Sequence, residues 1–333
     1  MINVRHVDVV TLLGDANQRY FGEGYRAVQQ ELTNVHIAPN DQGTLCVAAW
    51  LRLVYPLGWS AKEGQKPRQP HLSTLDAFLT SVQLADALLL VSAGVGPEKR
   101  RWSWIQSVSI RAGTMAVQEL DAISVTGEIV SVSTPCNPLL GSNKRIEMRF
   151  RVGALYVYLI IVTQAREICE ETVSYSHIDE VLGPQNCRYH GDGFKSHRLN
   201  LRLGCMENEN AITVSLEKQV GCEDFVDIGA AYTNSPTLID CILGQAQVSQ
   251  MLLYNLDHID RAVSENLWMR KVMLVADGPE LSTVSRFKAD TSISRTQLLR
   301  LAGKTWRTTD FDGRFGHIAT KYNLAHALPT KKG

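Results

Sequence analysis

Two aspartates, Asp76 and Asp240, each stand seven residues before a glutamine, Gln83 and Gln247, and three residues after a hydroxyl side chain, Ser73 and Thr237. Seven residues are two turns of α-helix, so each Asp–Gln pair would share one helical stripe. A carboxylate and an amide on one face can serve a substrate as general base and hydrogen-bond partner. The spacing [ST]-x-x-D is also nearly a capping box, in which the carboxylate closes the helix N-terminus and does no chemistry. Capping accounts for the aspartates but not for a glutamine on the same stripe in both places, because a buried polar stripe needs partners. Both readings stand at the level of sequence.

His71 lies five residues before Asp76, where Ser235 lies before Asp240. As a base paired with Asp240 or Asp76 it would titrate near neutrality; otherwise it only precedes a helix on the surface. Arg19-Tyr20 and Arg188-Tyr189 open a segment written twice, RYFGEGYR and RYHGDGFK. Arginine and tyrosine there suit anion and hydroxyl ligands at a pocket mouth. The alternative is a turn whose two glycines take backbone angles closed to other residues, with each arginine on a carboxylate. His190 replaces Phe21 in the second copy, so the copies have diverged toward unequal roles. The basic stretches KEGQKPRQPH (62–71) and EKRR (98–101) are either solvated faces or contacts for an acidic carrier or a coenzyme phosphate.

These residues sit in a chain that repeats itself. NQRYFGEGYRAV begins at residue 17 and NCRYHGDGFKSH at 186, an offset of 169 (186 − 17). Further on, HLSTLDAFLTSVQLADALLL (71–90) aligns with SPTLIDCILGQAQVSQMLLY (235–254) at an offset of 164 (240 − 76), and Trp104 pairs with Trp268 at the same offset. Landmarks recurring in order with a drifting offset indicate a duplication. Leu75, Leu79, Val82 and Leu89 recur near helical spacing, which predicts helices over 72–91 and 236–256. Alternating, β-branched runs predict strands before each helix (45–56 and 211–220) and after it (for instance 145–152 and 154–162, with a hairpin turn at Gly153). A long helix followed by antiparallel strands, written twice, is the plan of a double hot-dog in the α+β class. The expected repeats are 1–168 and 169–333, with the break between Thr163 and Asp179; an unduplicated α+β fold is the alternative.

Bulk properties narrow the partners. Lys+Arg and Asp+Glu balance at 34 each, giving no electrostatic case for nucleic acid or an anionic membrane. The longest apolar run noted, VGALYVYLIIV, is too short for a bilayer, and the first residues lack the plan of a signal peptide, so a cytoplasmic protein is expected. Seven scattered cysteines without C-x-x-C spacing suggest buried thiols and no zinc site. Neither a P-loop nor a GxGxxG motif is present, so neither metal nor cofactor is expected.

RYHGDGFKS, a strand, then SPTLIDCIL resembles the second hot-dog of polyketide-synthase dehydratase domains, with their Y-G-P-x-F and H-P-x-L-L-D segments. No histidine here begins the H-x-x-x-G-x-x-x-x-P segment that supplies their catalytic histidine, which argues against ordinary dehydration. Over nearly its full length, LGxxNxRYFGxGYR followed by WS and PHLSTLDAF looks like the AvrD (avirulence D) family. That resemblance implies an enzyme joining a β-ketoacyl thioester, on coenzyme A or acyl carrier protein, to a ketose or similar acceptor, yielding a syringolide-type butenolide. His71, Asp76 and Asp240 would then be catalytic, and Arg19, Tyr20, Gln83, Arg188, Tyr189, His190 and Gln247 would bind substrate, in a monomer or homodimer. The alternatives are a dehydratase-like thioester enzyme and a non-catalytic binder of a lipid-like signal.

Overall fold

The computed structural model describes residues 5–60, 69–134, 143–222, 224–261, 264–265, 267–281 and 285–329; residues 62–68 of the basic loop lie outside them. The first half runs β1 (Arg5–Asp8), α1 (Val9–Leu13), β2 (Gln29–Pro39), β3 (Leu45–Val54), α2 (Thr74–Ala93), α3 (Pro97–Arg101), β4 (Trp104–Arg111), β5 (Ile123–Ser133), β6 (Lys144–Val152) and β7 (Leu155–Thr163). The second repeats this order, without a counterpart of α3 among the described residues: β8 (Val173–His177), α4 (Asp179–Leu182), β9 (Arg198–Asn208), β10 (Ala211–Gln219), α5 (Leu238–Asp257), β11 (Trp268–Val275), β12 (Arg286–Leu301), β13 (Lys304–Phe315) and β14 (Ile318–Ala327). Gly153 takes the left-handed conformation (φ +53°) in the tight β6–β7 hairpin, as its position in the sequence predicts.

The described strands form one antiparallel sheet in the order β1-β9-β10-β12-β13-β14-β11-β4-β7-β6-β5-β3-β2-β8. It reads as the same six-stranded set twice, joined where β4 pairs with β11. Each set wraps one long helix, and the fold is a double hot-dog. The short first strand of each half is exchanged: β1 pairs with β9 of the second half and β8 with β2 of the first. This exchange has no counterpart in the sequence expectation, since four- and five-residue strands leave almost no periodic signal.

Both long helices begin two residues later than predicted, because Ser73 and Thr237 are extended N-caps. Each forms a complete capping box with Asp76 or Asp240. Along α2 the apolar stripe is only part of the story: Ala77, Phe78, Leu84 and Ala85 are buried as completely as the stripe residues. A helix apolar on every side is a core helix or a bilayer span. By length and apolar composition α2 would pass for a span, but most of it is buried inside the protein itself.

The glycines of the RYxGxG segments correct one expectation. None of Gly22, Gly24, Gly191 and Gly193 has positive φ. They are glycine because the chain packs too closely for a side chain: a Cβ would lie 2.3 Å from Ala16 O at Gly22 and 2.3 Å from Gln185 O at Gly191.

Candidate functional site

A cavity of about 760 Å³ opens beside the N-terminus of α2, between the halves. The first half contributes Arg19, Tyr20, His71 and Thr74; the second contributes one face of α5 and the strands β11, β13 and β14. Its walls are largely apolar, with Met115, Leu155, Met269, Leu299, Leu301 and Trp306 among them.

His71 is half-buried and set between two indoles: its ring centre lies 5.7 Å from that of Trp59 and 5.0 Å from that of Trp268. Burial pushes its pKa below the usual 6.5, against the opposing pull of the Asp76 charge and a backbone hydrogen bond at Gln69. The imidazole is therefore neutral near pH 7. Arg19 donates from Nη1 to Gln247 Oε1 (2.5 Å) and from Nε to Asp15 O (3.3 Å), and Gln247 returns Nε2–H to Phe21 O (2.8 Å). This clamp joins the halves at the cavity wall. Burial and the neighbouring Arg261 charge lower the Arg19 pKa to about 10, which leaves it cationic. Tyr20 shares a hydrogen bond with Ser73 Oγ (2.8 Å), and burial lifts its pKa well above 10.

The aspartates are held elsewhere. Asp76 Oδ2 accepts from Ser73 N (3.0 Å), Ser73 Oγ (2.6 Å) and the Tyr55 hydroxyl, while Oδ1 accepts from Gln30 Nε2 (2.8 Å). Asp240 Oδ2 accepts from Thr237 N and Oγ1 (both 2.9 Å) and from Lys218 Nζ (2.5 Å), in a buried ion pair. Neither lines the cavity, and the expected pairing of Asp240 with His71 is not formed. Asp76 spends both oxygens on closing its helix and on local donors, and Asp240 spends Oδ2 in the same way.

Gln83 is buried but does not reach the cavity; Gln247 does. Arg188 ion-pairs with Asp179, the carboxylate partner expected of the turn reading, whereas Arg19 meets an amide. Tyr189 and His190 line a smaller cleft of about 70 Å³ at the N-terminus of α5. Of EKRR, Arg100 is buried on Asp86 (3.1 Å) and is no solvated face.

Two cavity residues, Gln245 and Arg261, escaped the sequence reading. Gln245 sits in the cavity wall, its Oε1 accepting from Thr291 Oγ1 (2.5 Å) and Tyr322 OH (3.2 Å), while its Nε2 makes only long contacts to Arg314 O (3.3 Å) and Thr320 Oγ1 (3.4 Å). It lies five residues after Asp240 and off the Asp–Gln stripe, so spacing could not select it. Trp268 was visible as a repeat landmark, and Arg261 carried no signal.

The family model described as Pseudomonas avirulence D protein (AvrD) matches residues 4–329. A comparison with curated protein sequences returns no match. Among solved structures, the dehydratase domain from the CurJ module of Curacin polyketide synthase is similar at 9% identity and a TM-score of 0.32, covering 86% of this chain and 93% of that one. The 12:0-ACP thioesterase from Umbellularia californica is similar at 11% identity and a TM-score of 0.36, covering 78% and 88%. A hot dog fold protein of unknown function from Alicyclobacillus acidocaldarius has 11% identity and a TM-score of 0.33, covering 86% and 94%.

Proposed function

The chain belongs to the avirulence D (AvrD) family, and from that premise we propose that the large cavity is the active site of a biosynthetic enzyme acting on β-ketoacyl thioesters. The acyl group passes to a ketose or similar hydroxyketone and closes to a butenolide, a syringolide-type signal lipid. The observation that carries this reading is a large, mostly apolar cavity meeting a neutral histidine and a fixed guanidinium beside a helix N-terminus.

The apolar walls take the acyl chain. The thioester carbonyl lies toward Thr74 and Leu75, whose first-turn N–H groups have no acceptor within the helix. His71 takes the proton of the acceptor hydroxyl as its oxygen attacks the carbonyl carbon, and the thiol leaves with that proton. The methylene between the two carbonyls of the new ester is acidic, so His71 can then remove a proton from it. The enolate, stabilised by Arg19, attacks the ketone carbon of the acceptor, and loss of water gives the ring. Asp76 acts through His71, as a nearby charge favouring its protonated form. Asp240 holds α5, whose face forms the opposite wall.

A second reading, a non-catalytic binder of a lipid-like signal, draws support from the aspartates being committed to caps. Incubation of the protein with a β-ketoacyl-coenzyme A and a ketose separates the two. Thiol release that depends on both protein and ketose supports the enzyme; saturable binding without release supports the binder. The exposed thiols of Cys169, Cys187 and Cys222 react with thiol reagents, so the released coenzyme is best read by mass spectrometry.

A further inference from the structure

Strand β12 changes character at its midpoint. Through Ser292 it pairs with β10 on one side and β13 on the other. From Ser294 to Leu301 every residue is exposed, on both faces of the strand, and among the described residues the pairing continues with β13 alone, as far as Leu301 opposite Lys304. Ala302 and Gly303, with positive φ (+48° and +76°), close a tight two-residue turn. The result is a two-stranded arm that stands off the body.

Two properties of the arm do not fit a passive edge. Leu298, Leu299 and Leu301 are each more than half exposed. Between residues 294 and 309 the chain carries Arg295, Arg300, Lys304 and Arg307 and no Asp or Glu. Glu265 and Asp257 pair with Lys304 and Arg307, whereas Arg295 and Arg300 join no ion pair among the described residues. Charge on a free edge can serve only to keep other strands away. That explains the arginines but not the leucines, which invite association, and an apolar patch rimmed by charge marks a contact surface. The arm also borders the large cavity: Leu299, Leu301 and Trp306 line it, as do Arg261 and Arg270. Because Leu299 and Leu301 are both exposed and part of the cavity wall, the cavity opens beside the arm.

We propose that this arm is the docking surface for an acidic acyl carrier protein, which presents its thioester at the cavity opening. The choice of occupant rests on the reading of the cavity as a thioester site, and on charge. Coenzyme A supplies anionic phosphates but no apolar surface for Leu298, which alternates to the face opposite Leu299 and is not among the cavity residues. A second copy of this chain would set Arg295 and Arg300 against like charges. An acidic protein meets both needs: its carboxylates pair with Arg295 and Arg300, and its apolar side chains cover Leu298. Its thioester-bearing arm then passes Leu299 and Leu301 into the cavity. Leu299 and Leu301 serve the acyl chain, and Leu298, Arg295 and Arg300 serve the carrier.

The test gives the full-length protein a ketose and the same β-ketoacyl group on either a holo acyl carrier protein or coenzyme A, with binding of the carrier followed by isothermal titration calorimetry. Carrier binding should be saturable and should weaken as salt rises. Arg295→Glu combined with Arg300→Glu should weaken it about 10-fold or more and lower kcat/KM for the carrier thioester by the same factor. Turnover of the coenzyme A thioester should be unchanged, which also shows that the variant is folded. Absence of carrier binding to the unmodified protein overturns the proposal, as does equal loss of both thioesters in the variant. Should the double variant fail to fold by circular dichroism, Leu298→Ser decides, and an unchanged carrier affinity rejects the surface. Arm-dependent carrier binding without thiol release from either thioester upholds the docking surface and overturns the enzyme reading instead. Arm-dependent sedimentation with vesicles of phosphatidylcholine and phosphatidylglycerol, without carrier binding, assigns the arm to a membrane and overturns the proposal.

Discussion

At the scale of single residues, protonation states settle which groups can act. Burial holds His71 below 6.5, so if it is the base, the acid limb of kcat/KM should fall below pH 6.5 and activity should be flat through neutrality. His71→Gln should remove that limb and about 10²-fold of the rate; an unchanged profile would remove His71 from the mechanism. Asp240→Asn tests the opposite role. It leaves Lys218 buried without its counter-charge, and breaking a buried pair costs roughly 3–5 kcal/mol, visible as a lower urea midpoint. Lost turnover at unchanged stability would restore Asp240 as a catalytic group. Asp86 provides a pH test: burial first, and the Asp227 charge, raise its pKa to about 7 against the pull of Arg100. Its folded pKa lies above the unfolded value near 4, so the stability it contributes is complete below pH ~4 and is lost as pH rises toward ~7. Asp86→Asn should flatten that part of the stability profile, measured by denaturant unfolding between pH 4.5 and 8.

At the scale of elements, the two central helices look interchangeable but are packed differently. Gly244 in α5 occupies the place of Thr80 in α2 (244 − 164). In an exposed helix Gly→Ala would gain about 1 kcal/mol. Here an added Cβ would lie 2.3 Å from Phe315 Cε2, on a ring with no exposure. Overpacking of that kind costs roughly 1–3 kcal/mol, so Gly244→Ala should lower Tm. A rise in Tm would mean that the β13 ring yields easily.

At the scale of the whole molecule, the exchange of β1 and β8 and the β4–β11 seam make the halves depend on each other. A fragment of residues 1–168 keeps β1 without its β9 partner and bares the edges of β2 and β4, surfaces that invite aggregation. Expressed alone, either half should be insoluble or unfolded, and co-expression should recover a soluble complex. A folded, monomeric 1–168 fragment with dispersed NMR signals would show that the exchanged strands are dispensable.

Repetition and local chemistry were legible without coordinates. The drifting offset identified two copies, helical spacing located α2 and α5 to within two residues, and [ST]-x-x-D admitted the caps that formed, because each signal is written within one or two helical turns. Tertiary structure alone decided which side chains meet a ligand. The Arg19–Gln247 clamp spans 228 positions, Trp59 and Trp268 converge on His71 from separate elements, and Asp227 fixes His190 from a segment with no repeat signal. Asp76 and Asp240 carry the spacing a base would need, but Tyr55 and Gln30 take up both oxygens of Asp76, and Lys218 pairs with Oδ2 of Asp240. A sequence can state which residue types are available; which lone pairs remain free depends on donors that only chain folding brings within 3 Å.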